Sequence, residues 1–127
     1  MTRAERSEGF ILVETVVAFL ILAIALGVAV EAIGQSTRSI VRAEGVAAAN
    51  LAAAEVMAVE GRAVREPGSW SGVHPNGSAW HLVARRLRDG GPQQLYALLL
   101  EVRPPGGVAA PQAYRSYIVT GPRRGRP

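Results

Sequence analysis

An apolar run near the N-terminus extends from Phe10 to Val30, and Glu14 and Thr15 are its only polar side chains. A helix rises about 1.5 Å per residue, so the run spans roughly 30 Å, the thickness of the hydrocarbon core of a bilayer. A segment in lipid must satisfy its own backbone hydrogen bonds, and one run alone cannot form a closed barrel. We therefore predict one transmembrane helix over residues 10–30.

The carboxylate of Glu14 inside this run needs a reason, because a charge within a membrane helix is costly. One hypothesis is an ordinary signal anchor in which Glu14 reaches the lipid headgroups. Another is a secretory signal peptide cleaved after Ala23-Ile24-Ala25. Glu14 and the helical pattern that continues past Ala25 both argue against the signal peptide.

The hexapeptide GFILVE, from Gly9 to Glu14, favours a third hypothesis. It resembles the processing motif of type IV prepilins, in which glycine and phenylalanine precede a short apolar run with glutamate at the fifth position after the cut. The resemblance implies that a prepilin peptidase cleaves after Gly9 and methylates the new amine of Phe10. It also implies that residues 1–9, too short to fold alone, are a leader. The new amine would lie about one helical turn from Glu14, so we expect Glu14 to pair with it and to serve subunit assembly.

Composition limits the size and chemistry of the region beyond the membrane segment. The chain has 127 residues, no cysteine and a net charge of +4, with every basic side chain an arginine. It has room for at most one small domain, and no disulfide can stabilise it. The basic tail at 123–127 is rich in Gly and Pro, so we expect a disordered terminus rather than a nucleic-acid site.

The helical pattern does not stop at Val30. Residues 31–63 are mostly good helix formers, and the first proline after the apolar run is Pro67. We predict that the helix continues as an amphipathic half and ends near Gly61 to Arg65. Apolar residues on one face at steps of three, four and seven are Ile33, Ile40, Ala47, Leu51, Ala54 and Ala58.

Small side chains in this half would let a sheet lie close to the helix; they are Ala47, Ala48, Ala52 and Ala54. Two glycines, Gly34 and Gly45, each weaken the helix by about 1 kcal/mol relative to alanine and are predicted positions for bends.

The remainder, residues 64–122, is predicted to form a small β domain. Residues 66–79 have the composition of a loop. Strands are predicted at Trp80–Arg88, Leu95–Arg103 and Tyr114–Thr120, with a hairpin turn at residues 89–92. A long helix followed by an antiparallel meander is an α+β class, and it resembles the fold of pilins.

No residue set predicts catalysis. His74, His81 and Asp89 are too few and too scattered for a metal site, and neither a phosphate loop nor a nucleophile motif occurs. We therefore expect no enzyme activity, no metal and no cofactor. The scattered Trp and Tyr residues are expected in the core or at subunit contacts.

Within the pilin-like family, the small size and the segment AAANLAAAEVMAVE most resemble the minor pseudopilins of type II secretion, above all the kind called pseudopilin I. That resemblance implies a structural subunit at the tip of an inner-membrane pseudopilus, assisting the export of folded proteins. Its implied partners are other minor pseudopilins, the major pseudopilin, the prepilin peptidase and inner-membrane lipid, with no nucleic acid.

Arginines near the two ends of the apolar run are equal in number, so the resemblance, not the charge count, places the C-terminal domain in the periplasm. A minor pilin of a type IV pilus is the alternative function. A membrane-anchored periplasmic binding module or enzyme is the second alternative.

Overall fold

A computed structural model describes residues 3–88 and 91–121. The chain divides into two compact units, residues 1–40 and residues 41–127. One helix, α1 (Arg3–Val56), contributes to both units. A π-helical turn, Met57–Gly61, follows it directly.

The first unit consists of the N-terminal part of α1. Its large apolar side chains are exposed, from 47% at Val17 to 75% at Phe10. This helix is long and apolar enough to cross a bilayer, which agrees with the predicted span at 10–30. Helical structure begins at Arg3, so most of the leader extends the helix instead of standing apart from it.

The second unit contains the C-terminal part of α1 and a sheet. Its helical residues run on through the π-helical turn to Ala63, so the predicted end near Gly61 to Arg65 is confirmed. Gly45 has a packing role: a Cβ at this position would lie 2.7 Å from Cβ of Ala109. The segment that follows the third strand therefore approaches the helix more closely than alanine would allow.

Four antiparallel strands form the sheet in the order β1-β2-β3-β4. Three of them confirm the predicted strands within two residues at each end. The bounds are β1 (Gly68–Val73), β2 (Ala79–Arg86), β3 (Gln94–Arg103) and β4 (Gln112–Thr120).

Strand β1 corrects the prediction of a loop over 66–79. Its glycines and serines have low strand propensity, but the whole of β1 pairs with β2. The indole of Trp80 covers Gly72, where a Cβ would lie 2.8 Å from the ring. Cross-strand packing of an aromatic ring on glycine thus overrides the local preference.

Two predictions fall partly or wholly outside the described residues. The turn at 89–92 includes residues 89 and 90, although the strands on either side of it pair as predicted and Leu87 N donates to Leu95 O at 2.9 Å. The basic tail at 123–127 lies wholly outside them.

The core of the second unit lies between the helix and one face of the sheet. Side chains at alternate positions of β2 and β3 point into it, and Val64 is also buried there. The helix contributes small residues to this core. Because the helix packs on an antiparallel sheet, the predicted α+β class is confirmed. Ala52 is buried and Ala48 half-buried, as predicted, but Ala47 and Ala54 are exposed. The helical residues of the core are Ala49, Ala52, Ala53 and Val56.

Candidate processing and assembly site

The predicted cleavage site lies on the exposed surface of the first unit. Gly9 and Phe10 are both within α1, and a Cβ added to Gly9 would contact nothing within 4 Å beyond its chain neighbours and the backbone of its own helix. A peptidase must unwind a helix locally to bring a peptide bond into its active site. Glycine lowers that cost, because it destabilises a helix by about 1 kcal/mol relative to alanine.

Glu14 is four residues from Phe10, so the two side chains lie on the same side of the helix, one turn apart. Glu14 borders a shallow depression of about 300 Å³ together with Thr15, Ala18, Phe19 and Leu22. The Thr15 hydroxyl donates to Ile11 O at 2.9 Å and thus satisfies itself on the helix backbone. Glu14 has no hydrogen bond or ion pair within residues 3–88 and 91–121, so its carboxylate is available to a group outside this chain.

A second exposed surface lies on the helix of the second unit. It consists of Ala47, Leu51, Ala54 and Ala58, which are all exposed, Leu51 by 54%. We call this surface the bare face; at about 100° per residue it is opposite the buried alanines. The apolar stripe predicted from the sequence is thus exposed, and a different stripe of the helix packs on the sheet. Its two members in the first unit, Ile33 and Ile40, are exposed as well.

The sequence did not anticipate a polar contact between His74 and Glu55. His74 lies in the turn between β1 and β2, with 9% of its side chain exposed, and its Nε2 is 2.5 Å from Oε2 of Glu55. The same turn is held by Asn76, whose Nδ2 donates to Ala48 O at 2.9 Å. Gly77 has φ of +89°, a conformation that glycine adopts without strain. The turn is thus fastened to the helix at two points.

The hydrogen bond to the Glu55 carboxylate raises the pKa of His74 above its ordinary value of 6.5, while burial acts in the opposite direction. The protonated imidazolium is therefore the form that the fold favours. No sequence signal marks this pair, because the partners are far apart in the chain and neither belongs to a motif.

A matching contact lies on the other side of the helix. The hydroxyl of Tyr114 donates to Oδ1 of Asn50 at 2.5 Å, and partial burial raises the pKa of Tyr114. Asn50 and Glu55 thus border the buried face from opposite sides. Ser78 Oγ, by contrast, is buried and has no hydrogen-bond partner among the described residues.

The sequence predicts no metal site from His74, His81 and Asp89, and the two histidines lie in different surroundings. His81 is exposed on β2, His74 faces the helix, and Asp89 lies outside the described residues. Within the described part of the chain, no three His, Asp or Glu side chains form a cluster that could hold a metal ion.

Comparisons with protein-family models, with curated proteins and with solved structures found no match to this chain.

Proposed function

We propose that this protein is a minor pseudopilin of a type II secretion system. It is a structural subunit anchored in the inner membrane by residues 10–30, with its β domain in the periplasm. The observation that carries the proposal is one exposed helical segment in which Gly9 precedes Phe10, Glu14 follows one turn later and a membrane-length apolar run continues.

The proposed maturation explains why a carboxylate stands in the apolar run. Cleavage after Gly9 creates a free amine on Phe10, about one helical turn from Glu14. In a low dielectric a buried charge is tolerated only with a partner of opposite sign. The amine of the same subunit or of an adjacent staggered subunit supplies that partner, and a staggered pair also fixes the axial offset between subunits.

The bare face of the helix supports the proposal that this protein assembles with other subunits. An aliphatic side chain and three alanines in register leave a smooth apolar strip, on which a neighbouring helix can pack closely. We propose that the other minor pseudopilins of the tip contact this strip and that the major pseudopilin lies below them. A complex of this kind assists the passage of folded proteins across the outer membrane.

Intact mass of the membrane form tests the processing step. We expect a chain that begins at Phe10 and carries one added methyl group. Gly9→Val should leave the full-length chain uncut, because a branched side chain crowds the scissile bond. Gly27→Val, the same change in the same helix, should be processed normally. A mature N-terminus near Leu26, or an uncut wild-type chain, would refute the proposal.

Glu14→Ala separates processing from assembly. We expect normal cleavage after Gly9 but reduced crosslinking to neighbouring pseudopilins and reduced export. Glu31→Ala, which removes another exposed carboxylate of α1, should retain both. Normal crosslinking and export in the Glu14 variant would show that this carboxylate has no part in assembly.

The same measurements separate this function from a minor pilin of a type IV pilus. Both proteins would be processed after Gly9, but the pilin would support pilus formation rather than export. Normal export in a strain that lacks this protein, together with loss of pili, would favour the pilin.

A further inference from the structure

The face of the sheet that points away from the helix differs from an ordinary solvated face. Antiparallel sheets with one face on a core expose mainly polar side chains on the other. Here one part of that face is apolar and carries exposed Leu99 (42%), Tyr117 (65%) and Val119 (62%). We call this part the outer patch; it consists of Val83, Arg85, Leu95, Ala97, Leu99, Arg115, Tyr117 and Val119.

Strand register places these residues side by side. Ala97 on the central strand β3 pairs with Arg85 on one side and with Tyr117 on the other. In the next row of the same face, Leu99 pairs with Val83 and with Arg115. The two arginines therefore stand at diagonal corners around an apolar centre.

That centre is concave. A hollow of about 480 Å³ is lined by Val83, Ala97, Leu99 and Tyr117 together with Arg85 and Arg115. The hollow has room for an aliphatic side chain. Tyrosine and arginine around an apolar centre are among the residues most enriched in protein–protein interfaces.

Both arginines are free to bind. Neither Arg85 nor Arg115 makes a hydrogen bond or an ion pair with any residue in the ranges 3–88 and 91–121. The carboxylate on the adjoining part of this face, Glu101, instead pairs with Arg103 at 3.5 Å. The outer patch thus presents positive charge and forked donors that match carboxylates.

The distance between the two arginines limits which ligands can contact both of them. Two strand separations and one row step place the Cα atoms of Arg85 and Arg115 about 12 Å apart. An extended segment covers about 13 Å between residues i and i+4, and residue i+2 points the same way. A segment with carboxylates four apart and an apolar side chain midway would place all three on the patch.

From this arrangement we infer that the outer patch binds an extended acidic segment of another protein, with carboxylates at i and i+4 and an aliphatic side chain at i+2. A second copy of this chain is disfavoured, because it would bring arginines against arginines. Two arginines are too few for a nucleic acid or a lipid surface, where affinity grows with many phosphate contacts. The inference is independent of the proposed function.

The test uses the full chain in nanodiscs of zwitterionic lipid and a fluorescent probe peptide, Glu-Ser-Leu-Ser-Glu, followed by anisotropy. We expect the probe to bind and each lost charge pair to weaken binding about tenfold. The matched peptides Gln-Ser-Leu-Ser-Gln and Glu-Ser-Ser-Ser-Glu should bind more weakly for loss of the carboxylates and of the leucine, respectively.

Variants locate the site. Arg85→Glu with Arg115→Glu should abolish binding of the acidic probe and create binding of Arg-Ser-Leu-Ser-Arg, because the charges are exchanged. Arg103→Gln, at the far end of the same face, should leave affinity within about twofold, as expected for a screened distant charge. Circular dichroism shows whether each variant is folded.

Several outcomes would overturn the inference: no binding of the acidic probe, equal binding of its glutamine form, or equal binding to the charge-reversed variant. Two competitors address other occupants. Displacement of the probe by glycerophosphoserine or by a thymidine oligonucleotide at lower concentration than unlabelled probe would assign the patch to a lipid headgroup or a nucleic acid instead.

Discussion

Two faces of one helical segment in the second unit are both apolar, yet the sheet covers one and leaves the other bare. The covered face consists of Ala49, Ala52, Ala53 and Val56. The bare face has the larger Leu51, together with Ala47, Ala54 and Ala58. Hydrophobicity alone therefore does not determine which of the two faces is buried.

Shape explains the choice. Alanines let the sheet approach until the inward side chains of β2 and β3, such as Leu82 and Leu100, fill the remaining space. Gly45 continues this narrow surface beneath Ala109. A leucine on the same face would hold the sheet away from the helix and open cavities beside it. The bare face carries that leucine because it has no such close neighbour.

Polar contacts at the two edges add to the distinction. Asn50 accepts from Tyr114 on one side, and Glu55 meets His74 on the other. Each contact is directional, so a rotation of the helix that exchanged the two faces would break both. Packing and edge contacts thus specify the same orientation.

The largest expected effect comes from a charge on each face. Ala52→Asp places a carboxylate in the core without a partner and should lower the free energy of unfolding by about 3–5 kcal/mol. Ala54→Asp makes the same change in helix propensity on the bare face and should cost less than about 1 kcal/mol. Urea unfolding of the full chain in detergent micelles, followed by the near-ultraviolet signal of the aromatic residues, measures both.

Similar losses in these two variants would contradict the assignment of faces. If neighbouring subunits pack on the bare face, the Ala54 variant separates folding from assembly. It should then remain folded but show reduced crosslinking to neighbouring subunits.

A smaller effect is expected at the edge of the covered face where Asn50 contacts Tyr114. Tyr114→Phe removes the hydroxyl that donates to Asn50 and should lower the free energy of unfolding by about 0.5–1.5 kcal/mol. Tyr117→Phe is the matched control, since its hydroxyl has no hydrogen bond within the described residues. An equal loss in both variants would mean that the Asn50 contact adds nothing to stability.

The smallest effect is a pH dependence of stability, at the other edge, where Glu55 contacts His74. Because the pKa of His74 is raised by Glu55, its contribution to stability is complete below the ordinary pKa of 6.5 and is lost as pH rises through the folded value. The melting temperature should therefore fall as the pH rises above about 6.5 and through the raised pKa of His74. Glu55→Gln should flatten this slope.

His81→Asn supplies the control for the pH measurement. His81 has no hydrogen bond to a carboxylate in the described part of the chain, so its replacement should keep the slope. A slope that persists in the Glu55 variant would show that another group causes it.

Much of the sheet was predictable from local pattern. The short apolar runs of β3 and β4 between loops rich in Gly and Pro predict strands, and Gly61 and Pro67 predict the end of the helix. Strand β1 was not predictable in this way, because Gly72 becomes a strand residue beneath the ring of Trp80, which lies on the neighbouring strand β2. That information is held in the pairing with β2, not in the segment.

The functional candidates likewise include one that the sequence shows and others that only the fold brings together. The segment from Gly9 to Glu14 is contiguous, so its spacing is visible in the sequence. The contact between His74 and Glu55 and the outer patch around Leu99 join residues from separate elements. Their proximity depends on strand register and on which face of the helix meets the sheet.

Local periodicity in the sequence predicts the membrane-length helix, its extension to about Gly61 and the strands β2, β3 and β4, because each depends on neighbouring residues. Which apolar stripe of that helix is buried depends instead on packing. Two stripes on opposite sides of a helix give nearly the same periodic signal. The choice between them depends on how closely a sheet can approach, which is a property of the packed pair.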